Sequence, residues 1–237
     1  MRRYFIRGLA LITLLAMAAS GALGLWLQQT RVTAADLPPL RTGDLVFQES
    51  GSSQTKAIAF ASRSLYTHVG LVEIDAQGRP FVVEAARTVQ STPLAKWIER
   101  GTAGRITVKR VRDLSDEDAR KALAAAHRYD GRPYDFYFHD DTETIYCSEL
   151  VRRAFAEGPR IELGEIQRPR DLSIDNAAVR ALIEARWQKH PLCIEKGAAS
   201  FEACYGIILD QQLVTPAAIA RDARLDVVFS NFSIAAD

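Results

Sequence analysis

Tyr146-Cys147-Ser148-Glu149-Leu150-Val151 is the stretch on which the fold turns. A cysteine opens an apolar, helix-like segment whose stripe runs through Leu150, Val151, Ala154 and Phe155. At a helix N-terminus a thiol meets free backbone N–H groups and the positive end of the helix dipole, and both favour the thiolate. The alternative is a buried structural cysteine, a common fate of an unpaired Cys. Upstream, Thr67-His68-Val69-Gly70-Leu71-Val72 puts a histidine at the head of a β-branched run. An imidazole brought from a strand to that thiol would make a nucleophile and its base. His139, in the polar run Phe138-His139-Asp140-Asp141, is the rival base, while His127 and His190 read as surface residues.

Glu84 is the third candidate. It interrupts the apolar run Phe81-Val82-Val83-Glu84-Ala85-Ala86, where a carboxylate needs a partner because an unpaired buried charge is costly. The connector Asp75-Ala76-Gln77-Gly78-Arg79-Pro80 makes a hairpin of two strands, 68–74 and 81–85. Such a hairpin brings Glu84 near His68, where it would hold the tautomer and stabilise the imidazolium. A solvent-facing glutamate is the alternative, and Glu73 fits that description better. A metal site built from Cys147, His68 and Glu84 competes. The chain has no C-x-x-C, H-x-x-H or H-E-x-x-H spacing and no glycine-rich phosphate loop, so no metal or other cofactor is expected.

Around these residues the pattern mixes strands and helices. Gly43 to Gln48 reads as a turn and strand, 55–65 as a short helix, 93–98 as a helical turn, and 105–111 as a strand. Ser115-Asp116-Glu117-Asp118 has the form of a capping box opening an Ala-rich helix to about residue 129. Helices are predicted over 147–157, stopped by Gly158-Pro159, and over 174–188. Thr215-Pro216 starts a short one, and 225–229 is a last strand. Without steady βαβ alternation, the class is α+β.

The 237 residues are 48% hydrophobic and 25% charged, an ordinary globular balance with a net charge of +1. Three of the positive charges are Arg2, Arg3 and Arg7, and residues 1–30 carry no acid, so the remainder stands at −2. No basic face for nucleic acid is indicated. Those arginines precede an uncharged run, 8–27, that reads as a secretory signal or a membrane anchor. The expected division is 1–34 as leader or anchor and 35–237 as the folded domain. Export to the bacterial periplasm or cell envelope follows, with cleavage and inner-membrane anchoring both open. In an oxidising compartment three cysteines suggest one pair and one free thiol. Cys193 and Cys204, eleven apart in a Gly-, Ala- and Ser-rich stretch, suit the disulfide and leave Cys147 free.

Gly43-Asp44-Leu45-Val46-Phe47, the His68 run, Gly131-Arg132-Pro133-Tyr134-Asp135 and the Cys147 run, in that order, resemble the NlpC/P60 superfamily of papain-like cysteine hydrolases. Common members put the cysteine motif first; here it comes last. The chain is therefore similar to the permuted papain-like amidases of YiiX/YebB type, and more distantly to lecithin:retinol acyltransferase. The likeness covers roughly residues 41–157, with a weaker echo over 213–229.

It implies a circularly permuted papain-like α+β fold, with an antiparallel barrel-like sheet packed against the cysteine helix. It also implies Cys147 as nucleophile, His68 as base and Glu84 as orienting acid; the segment 159–212, where the likeness is weakest, is expected to be an accessory element shaping the groove. Attack of the thiolate on an amide or ester would give a thioacyl enzyme, with the Cys147 N–H as one oxyanion donor and Tyr146 as a second. Three functions are open: an exported amidase on peptidoglycan peptides, favoured by superfamily and export; a lipid acyl or lipid-amide hydrolase or acyltransferase; and a non-catalytic envelope binding protein.

Overall fold

Near-continuous apolar runs along the central strands produce a sheet buried on both faces. The computed structural model describes residues 32–141 and 143–232; the expected leader, through residue 31, lies outside them. Its strands are β1 (Leu45–Gln48), β2 (His68–Ile74), β3 (Pro80–Ala85), β4 (Val89–Pro93), β5 (Thr107–Val111) and β6 (Leu225–Ser230). They form one antiparallel sheet in the order β4-β3-β2-β1-β5-β6. The sheet is open among the described residues, with β4 and β6 as edges, and is not closed into the barrel-like form expected. Each edge bonds a single neighbour, and β4 runs directly into a helix that turns the chain away.

The helices are α1 (Thr55–Ser62), α2 (Leu94–Arg100), α3 (Asp116–His127), α4 (Cys147–Glu157), α5 (Ala177–Glu184), α6 (Pro191–Glu195), α7 (Phe201–Ile208) and α8 (Pro216–Ala220). On one sheet face Leu45, Phe47, Val69, Leu71, Val83 and Ala85 pack with Leu150, Val151, Ala154 and Phe155 of α4. On the other, Val46, Val72, Val82 and Val108 meet Leu94, Trp97 and Ile98 of α2. Burial of each large side chain contributes about 1.5–3 kcal/mol, so α4 is held firmly at the stripe read from the sequence. The α3 start is capped as expected, with Ser115 Oγ accepting from the Asp118 N–H at 3.1 Å. Among the described residues no helix is long and apolar enough to cross a membrane.

The second half departs from expectation in two places. The single helix expected over 174–188 is the shorter α5, capped by Asn176, followed by a separate turn at Trp187–Lys189. The stretch between Cys193 and Cys204 is not a loop. Pro191 starts α6, Gly197 at φ +64° turns the chain, and Ser200 caps α7. The Cys193–Cys204 disulfide joins these two helices and leaves Cys147 as the free thiol.

Candidate active site

Cys147 is the first residue of α4 and is buried. Its sulfur interacts with the His68 ring, the Val69 backbone N–H and the Tyr134 hydroxyl. Burial pushes the thiol up, but the His68 charge and these donors outweigh it and hold the pKa below the usual thiol value. The rival His139 lies in the 135–140 loop and is not among these neighbours.

His68 opens β2 and stacks on Trp97, with ring centroids 6.1 Å apart. Its Nε2 lies 2.5 Å from Glu84 Oε2, which leaves Nδ1 for the thiol. Burial pulls its pKa down, yet Cys147 and Glu84 together raise it to about 9. Glu84 is fully buried and accepts three further bonds: Thr92 Oγ1 at 2.7 Å, Trp97 Nε1 at 3.0 Å and Arg100 Nη2 at 2.5 Å. Burial pushes the carboxyl up, but His68 and Arg100 bring it to about 2.

The sheet register explains how the two meet. Leu71 pairs with Val83, so one step further Gly70 stands opposite Glu84, with His68 diagonal on the same face. A Cβ on Gly70 would stand 2.3 Å from Val82 Cγ1 and 3.1 Å from the Val83 carbonyl oxygen. Only glycine leaves that room.

Tyr146, the N-cap residue, turns its hydroxyl to accept from the Val214 N–H at 3.0 Å, and Ser148 Oγ donates to the Val214 carbonyl at 2.9 Å. Both bonds tie the 213–215 segment to the start of α4. Tyr134 is the hydroxyl at the sulfur, and sequence reasoning gave it no chemical role. Burial and then Cys147 push its pKa well above the usual tyrosine value, so it stays a donor. Thr92, Trp97 and Arg100 were missed as well; β4 was not expected, and α2 was read only as a helical turn.

Cys147 lines a partly open pocket. Its lining is overwhelmingly apolar, with Ile58, Phe138, Leu172, Val179, Ile183 and Val214 representative. Much of that wall comes from 159–212, the segment expected to shape a groove. His190, expected at the surface, is buried in this wall, packed edge-on to Tyr137 at 5.3 Å between centroids. Its position ahead of Pro191 makes it the residue that starts α6, and α6 folds inward against α7.

A buried cysteine at a helix start, served by a histidine and a carboxylate from strands that precede it in sequence, is the papain-like hydrolase arrangement in permuted order. The chain belongs to the permuted papain-like amidase family YaeF/YiiX, C92, whose model matches residues 39–229. It is 36% identical over 166 residues to the uncharacterized protein YiiX of Escherichia coli K12, a match covering 70% of this chain and 81% of that one. A crystal structure of YiiX from Escherichia coli O157:H7, described as a metalloprotein, superposes with a TM-score of 0.72 at 34% identity. That match covers 81% of this chain and 98% of the other.

Proposed function

We propose that this protein is an exported thiol hydrolase that cleaves an amide or ester of a long apolar acyl group. Cys147 attacks the carbonyl, and the Cys147 N–H and the Tyr134 hydroxyl stabilise the oxyanion. His68, held by Glu84, gives its proton to the leaving group, then takes one from the water that releases the acyl chain. Tyr134, whose hydroxyl is at the sulfur, takes the donor role expected of Tyr146, whose hydroxyl is held at the Val214 N–H. Export is supported by the arginine cluster ahead of residues 8–27 and by the disulfide, a bond characteristic of oxidising compartments. The NlpC/P60 relationship is supported by the motif order.

The observation that carries the substrate reading is the apolar pocket beside Cys147. Peptidoglycan peptides are polar and charged, and an apolar wall would desolvate them without return. Hydrolysis of acyl p-nitroanilides of increasing chain length tests the choice. Each buried methylene is worth about 0.8 kcal/mol, so kcat/KM should rise about fourfold per carbon until the pocket is full. A flat chain-length profile together with turnover of muropeptides would overturn the acyl reading.

The metalloprotein relative raises a metal-dependent alternative, which the donor set here does not favour. Glu84 is already engaged by four donors and His68 Nε2 faces Glu84, leaving one imidazole nitrogen and one thiol. Among the described residues no group of three or more His, Cys, Asp or Glu is arranged to hold a metal ion. The residues do not fit a catalytic metal, which needs about three protein ligands.

A further inference from the structure

The pocket wall carries three polar side chains whose needs the protein itself meets only in part. Arg186 Nη1 donates to Gln54 Oε1 at 2.7 Å and to the Phe136 carbonyl at 3.1 Å, and the guanidinium lies over the Phe136 ring. Both hydrogen-bond partners are neutral. Among the described residues no carboxylate pairs with this half-buried cation, although other arginines of the chain, such as Arg110 and Arg153, have one. Burial lowers its pKa. Leaving a charge partly desolvated and unpaired is unfavourable unless a ligand supplies the counter-charge.

Two neighbours in the same wall are only partly satisfied. His190 Nδ1 and Gln211 Oε1 are buried without a well-aligned hydrogen-bond partner, although the His190 ring also feels the Gln211 side chain and the Tyr137 backbone, and Gln211 Nε2 is fixed on the Tyr137 carbonyl at 3.1 Å. Burial holds His190 down to about 4, so its ring is neutral at physiological pH and offers one N–H. All three residues line the pocket that holds Cys147, and all three come from 186–211. Native proteins rarely leave such atoms unmade without a function for them.

We propose that Arg186, His190 and Gln211 form an anion subsite, so that the ligand of this pocket is an amphiphile with an apolar chain and one carboxylate or phosphate group. The cation supplies charge and the fork of N–H donors suited to either anion. The imidazole supplies a neutral hydrogen bond, and Gln211 Oε1 receives a hydroxyl or N–H of the same head group. This deepens the acyl-pocket reading and rests on it.

Isothermal titration of full-length Cys147→Ala with decanoate, decyl phosphate and neutral decanamide separates the two. The anions should bind about tenfold or more tightly than decanamide, the range expected of charge-assisted hydrogen bonds, and the tighter anion names the head group. Adding Arg186→Gln should erase that preference while decanamide affinity stays within about twofold, and Arg186→Lys should restore part of it. Decanamide unchanged in Arg186→Gln shows that the wall still stands without the guanidinium. Equal binding of all three by the parent overturns the subsite and leaves the acyl pocket intact. An anion preference that survives Arg186→Gln also overturns it. Failure of every probe, decanamide included, overturns subsite and acyl pocket together.

Discussion

His68 Nε2 and Glu84 Oε2 face each other at 2.5 Å from diagonal positions of neighbouring strands. The contact commits one ring nitrogen to the carboxylate and leaves the other for Cys147. Since Thr92, Trp97 and Arg100 also donate to Glu84, the carboxylate stays ionised and steers the ring without taking its proton.

Glu84→Gln should therefore lower kcat by on the order of 10²–10⁴ and bring the His68 pKa down from about 9. The Glu84 pKa of about 2 lies below its ordinary 4.5, so its stabilisation is complete above pH 4.5 and is lost as pH falls toward 2. Urea unfolding at pH 7 and pH 3 should show wild type losing more stability than the variant. Equal losses would remove Glu84 from the account.

The His68 pKa is raised from 6.5 to about 9, so its contribution to folding is fully present below pH 6.5 and lost as pH rises through about 9. Cys147, Glu84, Arg100 through Glu84, and Tyr134 are the ionisable groups around that pair. The thiolate–imidazolium pair should persist up to that limit, giving kcat/KM a basic limb near pH 9. Iodoacetamide should alkylate Cys147 with an apparent pKa well below the ordinary thiol value of about 8.5, rising in His68→Ala. An ordinary, slow thiol indifferent to His68 would point to the binding-protein alternative.

Tyr134→Phe removes a donor from the sulfur and from the carbonyl oxygen that would follow it. It should lower kcat by about 10²-fold with KM little changed, the pattern of an interaction made in the transition state. Tyr146→Phe should instead act through stability, since its hydroxyl serves Val214. Steady-state kinetics beside thermal melts tell the two apart.

Mass spectrometry of the unreduced protein should find one alkylatable thiol, Cys147. Reduction opens a loop of eleven residues, which costs about 2–3 kcal/mol in the chain-entropy model. Loosening of α6 and α7 should weaken decanamide binding along with the melting temperature.

The local elements were legible in the sequence where side-chain period and stop signals agree. Strand β2 and helix α4 fall at the residues read from the pattern, because His68–Ile74 is bounded by a polar turn and Cys147–Glu157 by Gly158. The His68–Glu84 contact was legible as well, since a glutamate inside an apolar strand needs a partner. Strand β4 was not: Val89–Pro93 is polar on its exposed positions and is held by hairpin pairing with β3 across Ala86-Arg87-Thr88, a turn with no Gly, Pro or Asn to announce it. The burial of His190 also escaped the sequence. It depends on α6 folding back on α7 under the disulfide, in a segment whose small residues read as loop.

The permuted order also sets a timetable. A ribosome working at about 5–20 residues per second completes the hairpin bearing His68 and Glu84 several seconds before residue 147 is made. His68 and Glu84 belong to one compact unit, whose ends are close in sequence and quick to pair. Cys147 arrives afterwards, on a helix that docks against a sheet already begun. In the unpermuted arrangement a reactive sulfur waits for its partners; here the partners wait for the sulfur.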